Sequence, residues 1–331
     1  MDNVFDFRNR LINEYSSFSR SFSKVSAQDI LSKVEQEYDR GRYWPEPLIQ
    51  INPNYKRQST VQQLAHEGML HASCSHIFQT GKTEGKAADL HLYVHQLQAV
   101  AKAQKQQSYV VTTGTGSGKS LAFFVPIIDR ILKAKQADPQ KRTRAIVIYP
   151  MNALANSQPE ELDKFLHGYP DDQKPFTVAR YTGQESDADR KQIADNPPDI
   201  LLTNFMMLEL ILTRFEDVDR RVVEHCQGLE FLVLDELHTY RGRQGADVAL
   251  LVRRLRERLQ ASQLVCIGTS ATMSSTGTQA DRNQTVANVA SLLFGAQITE
   301  HDVIGETLER GTNPAKDIEA VKSPLQPALL K

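Results

Sequence analysis

Residues 113–120 read Thr-Gly-Thr-Gly-Ser-Gly-Lys-Ser, between the apolar run Tyr109-Val110-Val111 and an apolar stretch that starts at Leu121. A strand, a glycine-rich turn and a helix start in that order build a phosphate-binding P-loop. Gly114, Gly116 and Gly118 let the backbone come close to a polyphosphate, so that amide N–H groups and the positive end of the helix hold its charge. Thr115, Gly116, Ser117 and Gly118 are therefore candidate triphosphate contacts. Lys119 would reach the β- and γ-phosphates, and Ser120 would ligate Mg²⁺. The loop predicts a site for a nucleoside triphosphate. The general pattern asks for a further glycine where this chain has Thr113.

Working outward, short β-branched runs alternate with longer helical patterns. They are Ala145-Ile146-Val147-Ile148-Tyr149, Ile200-Leu201-Leu202-Thr203, Phe231-Leu232-Val233-Leu234 and Leu264-Val265-Cys266-Ile267-Gly268. Strands that are apolar throughout suit a parallel sheet covered on both faces. The fold class is α/β, a mostly parallel sheet flanked by helices. Val248, Leu251, Val252, Leu255 and Leu259 fall on one helix face. Arg253, Arg254, Arg256 and Arg258 lie mostly opposite, where they either grip phosphate or form a solvated face. Residues 133–144, with Asp138-Pro139 in the middle, are expected to be a polar connection. Residues 1–90 read as a separate, mainly helical accessory region, with a helical pattern near residues 30–38; the tail after about residue 305 reads as irregular.

Composition sets outer limits. With 331 residues the chain is long enough for one large or two small domains. A formal net charge of -1 neither favours nor excludes a nucleic-acid partner, because a local basic groove suffices. Cys74, Cys226 and Cys266 form no CxxC pair and no closed disulfide set, which fits a reducing, cytoplasmic setting. No apolar stretch approaches the length of a membrane span, and the first residues lack the basic and apolar regions of a signal peptide. A cytoplasmic protein without a membrane partner is expected.

The strand at residues 231–234 runs into Asp235-Glu236-Leu237-His238. A carboxylate at the C-terminal end of a strand in a P-loop sheet lies beside the phosphates. Asp235 would hold Mg²⁺, usually through water. Glu236 would orient and activate the water that attacks the γ-phosphate.

Asp-Glu-x-His together with this P-loop resembles the DExH helicases of superfamily 2, whose motor lobes are RecA-like. Those ATPases commonly carry a small residue at the position of Thr113. Residues 92–100, Leu-Tyr-Val-His-Gln-Leu-Gln-Ala-Val, are similar to the family's adenine-reading segment. Gln96 would give the adenine edge both a donor and an acceptor. Residues 149–158 resemble the next motif, with Pro150, Asn152 and Asn156 as candidate nucleic-acid contacts. Thr182-Gly183 and Thr203-Asn204 resemble the two short motifs that follow it. In the family these loops hold one strand by its phosphates, through backbone amides and small polar side chains. Ser270-Ala271-Thr272 looks like the motif whose hydroxyls couple the ATP site to movement of a second lobe. His238, Ser270 and Thr272 are its candidate coupling residues. The matches appear in the family's order over residues 92–272.

Residues 235–242 and 92–96 resemble the MrfA-like DNA helicases. Trp44-Pro45-Glu46-Pro47 and residues 203–208 resemble the large bacterial helicases of the Druantia type, some of which act in antiviral defence. The resemblance implies ATP and Mg²⁺ as cofactors and nucleic acid, single-stranded DNA first, as partner. It also implies a second RecA-like lobe, in the same longer chain or in another protein. Nothing after Thr272 resembles the arginine-rich string of that lobe, and about 60 residues are too few to build one. Residues 91–275 are thus expected to be the ATP-binding lobe and residues 276–331 a linker toward the second. An arginine finger is worth roughly 10³ to 10⁵ in rate, so the isolated chain should turn ATP over slowly. The alternative is a non-catalytic nucleotide-binding or regulatory module, against which the intact Lys119, Asp235 and Glu236 argue. A stand-alone P-loop kinase or GTPase would leave the motifs after residue 149 unexplained.

Overall fold

The computed structural model describes residues 3–22, 25–40, 54–271 and 278–311. Thr272 and Trp44-Pro45-Glu46-Pro47 lie outside the described residues. The chain divides into two compact units, Met1–Asn52 and Pro53–Lys331. The first holds α1 (Val4–Ser21) and α2 (Gln28–Asp39). Asn3 caps α1 by accepting the N–H groups of Phe5 and Asp6 at 3.0 and 2.9 Å. The helical pattern at residues 30–38 lies within α2.

In the second unit β1 (Arg57–Thr60) pairs antiparallel with β2 (His91–Tyr93). The main sheet contains β3 (Tyr109–Thr112), β4 (Ala145–Tyr149), β5 (Val178–Tyr181), β6 (Ile200–Asn204), β7 (Phe231–Leu234), β8 (Val265–Ser270) and β9 (Val303–Gly305). Its spatial order is β9-β3-β8-β7-β4-β6-β5, and every neighbouring pair is parallel. The four apolar runs read as strands from sequence are four of these seven.

Side chains alternate between the two faces with the period of a strand. Val111, Val147, Tyr149, Leu202, Val233 and Ile267 pack on one side with α3 (Val94–Gln104) and α4 (Lys119–Ala137). Val110, Ile146, Ile148, Leu201, Leu232 and Cys266 pack on the other. That second layer also takes α6 (Phe205–Thr213), α7 (Gly242–Arg258) and α8 (Gln279–Phe294), while α5 (Asn152–Leu166) buries Ala155, Leu162 and Leu166 in the first. Apolar burial on both faces is why these strands carry few polar residues.

Three boundaries differ from the sequence reading. Val61, Leu64, Leu70, Cys74 and Ile77 are buried in the same layer as α4, so the sheet domain takes in residues placed in the accessory region 1–90. At the other end, α8 buries Val286, Ala287, Ala290, Leu293 and Phe294, and β9 adds an edge strand beside β3. The unit therefore extends beyond residues 91–275 in both directions. Thirdly, α4 continues to Ala137, into the expected connection, because Lys133 pairs with Asp129 one turn earlier and Lys135 reaches Asp199 at 2.6 Å.

Parallel strands send all their C-terminal ends to one edge, where an open α/β sheet places its ligands. The loops after β3, β8 and β7 meet in one half of that edge, and those after β4, β6 and β5 in the other.

Candidate functional site

The P-loop leaves β3 at Thr112 and enters α4 at Lys119. Gly116 and Gly118 have φ of +76° and +69°, the left-handed region that side chains avoid. Thr113, at the position where the general pattern has glycine, is buried, and its hydroxyl shares a 2.6 Å hydrogen bond with that of Ser117. The departure thus adds a rung across the loop. Ser117 is buried too, while Thr115 and Gly116 are exposed. Lys119 Nζ donates to the Thr113 carbonyl at 3.1 Å, which holds the ammonium over the loop.

Two residues of α3 support this turn from behind. His95 Nε2 bonds the Ser117 carbonyl at 2.9 Å, so the ring carries its proton there and Nδ1 stays unprotonated. Burial lowers the His95 pKa. Gln96 Nε2 donates to the Gly118 carbonyl at 2.9 Å, and Gln96 Oε1 accepts the Tyr93 N–H at 2.9 Å. The structure brings Gln96 to the P-loop with both halves of its amide engaged by the chain. Sequence reasoning missed two further contacts. Glu306 Oε2 accepts the Gly114 N–H at 2.9 Å, and the Tyr55 hydroxyl donates to the Thr115 carbonyl at 3.3 Å.

Asp235 and Glu236 follow β7, and β8 lies between them and the P-loop strand. Gly268 stands beside Leu234 in register, so Thr269 reaches the acidic pair. Its hydroxyl donates to Asp235 Oδ1 and accepts the Glu236 N–H at 3.1 Å. Burial raises the Asp235 pKa, with the Glu236 charge adding to it and the Thr269 hydroxyl and Lys119 opposing. Glu236 has φ +53°, a rare conformation for a residue with a side chain. Its Oε2 lies 3.2 Å from His238 Nδ1, which is itself 3.3 Å from the Ser270 hydroxyl. The hydroxyls of Tyr149 and Tyr240 are buried without a hydrogen-bond partner. Burial, and then the charge of Asp235, raises both tyrosine pKa values.

Ser120 and Asp235 offer a hydroxyl and a carboxylate, the hard oxygen donors that Mg²⁺ takes. A cation at Asp235 would also offset the burial that raises its proton affinity. These residues fit the ion.

The other half of the edge gathers Asn152, Asn156, Thr182, Gly183, Thr203 and Asn204. Asn204 Nδ2 donates to Asn152 Oδ1 at 2.6 Å and to the Thr182 carbonyl at 3.1 Å, while Asn204 Oδ1 caps α6 through the Met207 N–H at 2.7 Å. Thr203 is buried and donates to the Tyr181 carbonyl at 2.7 Å. Arg180 donates to Asn156 Oδ1 at 2.9 Å. Pro150 and Asn152, at the start of α5, are half-buried. Sequence reasoning missed Glu185. Its carboxylate accepts the Thr182 N–H at 2.6 Å, the Gly183 N–H at 2.9 Å and the Thr182 hydroxyl at 2.9 Å. The amides read as phosphate contacts are already held by an anion of the chain. Three arginines of α7 are engaged as well: Arg254 grips Glu209 at 2.6 and 2.7 Å, and Arg253 and Arg256 donate to the carbonyls of Leu292 and Phe294.

A parallel sheet with a P-loop after one strand and an acidic pair two strands away defines a RecA-like nucleotide-binding lobe. The DEAD/DEAH box helicase family matches residues 93–280, more than half of the chain, and the protein belongs to that family. An uncharacterized ATP-dependent helicase of Bacillus subtilis, YprA, is 35% identical over 185 residues, 55% of this chain and 23% of that protein. The Druantia protein DruE of Escherichia coli is 26% identical, over 55% of this chain and 16% of its own length. The chain therefore spans less than a quarter of these relatives. In fold it is similar to the crystal structure of the DUF1998 helicase MrfA bound to DNA, with a TM-score of 0.58 and 24% identity over 82% of this chain and 32% of that one.

Proposed function

We propose that this chain is the ATP-binding lobe of an ATP-dependent DNA helicase or translocase. The observation that carries the reading is the division of one sheet edge. Lys119, Asp235 and Glu236 gather after β3 and β7, and the Asn152, Thr182 and Asn204 network gathers after β4, β5 and β6. A lobe that couples nucleotide to strand movement needs these two halves on one rigid element.

Lys119 would neutralise the triphosphate, Glu236 would accept a proton from the attacking water, and Ser120 and Asp235 would hold Mg²⁺, which supplies charge neutralisation at the phosphates when bound. Thr115, Gly116, Ser117 and Gly118 would contribute backbone amides, and Gln96 would tie the base-side helix to the loop. Pro150, Asn152, Asn156 and Asn204 would lie along one strand's phosphates, while Thr182, Gly183 and Thr203, whose donors are taken by Glu185 and the Tyr181 carbonyl, would set the shape of the loop. His238 and Ser270, joined through a 3.3 Å contact, would pass the state of the acidic pair toward a second lobe; the motif resemblance alone gives Thr272 the same coupling role. A second RecA-like lobe would complete the ATP site and supply its arginine finger.

The preference for DNA rests on the resemblance of residues 92–96 and 235–242 to MrfA-like helicases, one of which has been crystallised on DNA. The likeness to DruE makes antiviral defence the finer reading of its role. Cys74, Cys226 and Cys266 are all buried free thiols, which supports a reducing cytoplasmic setting. Among the described residues no helix is long and apolar enough to cross a membrane.

The test is fluorescence anisotropy of labelled single-stranded DNA across a salt series, with and without a non-hydrolysable ATP analogue. Binding should weaken linearly in log–log form with added salt, and the Asn204→Ala variant should bind more weakly at every salt concentration. Salt-insensitive binding, or binding indifferent to Asn204, would count against the reading.

A further inference from the structure

Thr269 belongs to neither of the motifs that flank it, yet it touches both acidic residues. It is fully buried at the end of β8, the strand inserted between the P-loop strand and the acidic strand. In register it stands beside Val111 of β3, while Gly268 stands beside Leu234 of β7. A side chain at this point lies where β7 hands over to Asp235.

A hydroxyl has one proton to give and lone pairs to accept with. The Thr269 proton goes to Asp235 Oδ1, and its oxygen takes the Glu236 N–H at 3.1 Å. Each use is needed. The carboxylate can only accept, and the Glu236 N–H belongs to a residue at φ +53° and ψ 55°, a backbone state that persists only where neighbours over-determine it. On the other side of Glu236, the Thr239 hydroxyl donates to the Glu236 carbonyl at 2.8 Å. Glu236 is thus pinned at its N–H by Thr269 and at its carbonyl by the turn that follows. Gly268 completes the arrangement: a Cβ there would stand 2.3 Å from Leu237 Cδ1, so the strand must be bare where the acidic turn crosses it.

We propose that Thr269 is the positioning residue of the acidic pair. It fixes one oxygen of Asp235 and the backbone of Glu236, so that a change at the end of β8 reaches both carboxylates together. The proposal rests on the reading of Asp235 and Glu236 as the hydrolytic acids.

The test compares Thr269→Val, which keeps the shape and removes both hydrogen bonds, with Thr269→Ser, which keeps the hydroxyl. ATP hydrolysis by the whole chain is measured with single-stranded DNA, and amide exchange at Glu236 is followed by NMR. Thr269→Val should lower kcat about 10- to 100-fold, the range set by displaced catalytic groups. Its KM for ATP should stay within about threefold of wild type. Thr269→Ser should keep kcat within about threefold, because its hydroxyl serves both partners. Glu236 amide exchange should rise about tenfold in the valine variant alone. Unchanged kcat in Thr269→Val overturns the proposal, and so does an equal fall in both variants, which would mark a structural role. If the wild type shows no Glu236-dependent hydrolysis, as an ATP site without its second lobe would, kcat gives no readout and the exchange experiment decides by itself; ATP binding indifferent to Lys119→Ala is the separate result that fails the ATPase reading. Equal Glu236 exchange in wild type and Thr269→Val then overturns the proposal, and faster exchange confined to valine upholds Thr269 as the residue that sets the pair.

Discussion

Replacing Glu185 by alanine tests whether the Thr182-Gly183 loop is held by an internal anion. The carboxylate side chain is 5% exposed and accepts two backbone N–H groups and one hydroxyl, with Arg180 Nε at 2.9 Å on the same oxygen as the hydroxyl. Thr182 is buried, so its N–H would have no substitute partner, whereas the exposed Gly183 N–H can turn to water. A hydrogen bond to a charged group contributes about 1.5–3 kcal/mol, so the substitution should cost about 2–4 kcal/mol once Gly183 is discounted. Glu185→Gln keeps one oxygen and should cost roughly half as much. The sign of the pH dependence follows from the folded state. Burial pushes the Glu185 pKa up, but the hydrogen bonds from Thr182 and Arg180 outweigh it and hold the group below its ordinary 4.5. Its stabilisation is therefore complete above the unfolded-state value and is lost as pH falls through the lowered folded value. Urea unfolding followed by circular dichroism should show the full gap between wild type and Glu185→Ala at neutral pH, shrinking in acid. A cost below about 0.5 kcal/mol, or a gap that stays constant through the acid range, would refute the reasoning.

Three further substitutions address the nucleotide half. Gly118→Ala forces a side chain onto φ +69° and puts its Cβ 2.7 Å from Gln96 Nε2; urea unfolding should show a loss of about 2 kcal/mol, and unchanged stability would contradict the loop geometry. Glu306→Gln removes a negative charge from the Gly114 amide, so calorimetry should find ATP bound about three- to tenfold more tightly, whereas equal or weaker binding would show that Glu306 does not face the phosphates. Tyr149→Phe deletes a buried hydroxyl that has no partner, so the unfolding free energy should hold or rise by up to about 1 kcal/mol. A clear loss would show that the hydroxyl is bonded after all.

The parts legible in the sequence are those that local physics dictates. The apolar runs at 145–149 and 231–234 had to be covered on both faces, and they are central strands. The glycines of residues 113–120 had to turn, and two of them have positive φ. The helix face Val248, Leu251, Val252 and Leu255 is wholly buried in α7. Much of what stayed illegible joins residues far apart in sequence. The Glu306 contact to Gly114 spans 192 positions, and the contact from Thr269 to Asp235 spans 34. Both exist only because β9 and β8 flank β3. Some missed contacts are local, Gln96 Oε1 to the Tyr93 N–H and Glu185 to Thr182 and Gly183, because a polar side chain in sequence does not show whether it turns to its own backbone or to a ligand. The domain limits were misplaced for a related reason. Residues 57–77 and 279–305 are short or ambiguous as isolated patterns, and their membership in the sheet domain is decided by contacts with α4, α7 and β3.

The most direct measurement is ATP binding and turnover by the whole chain, with and without single-stranded DNA, beside Lys119→Ala and Glu236→Gln. The account predicts Mg²⁺-dependent ATP binding that Lys119→Ala removes, and slow hydrolysis that rises with DNA and disappears in Glu236→Gln. ATP binding indifferent to Lys119, or hydrolysis that survives Glu236→Gln, would contradict it.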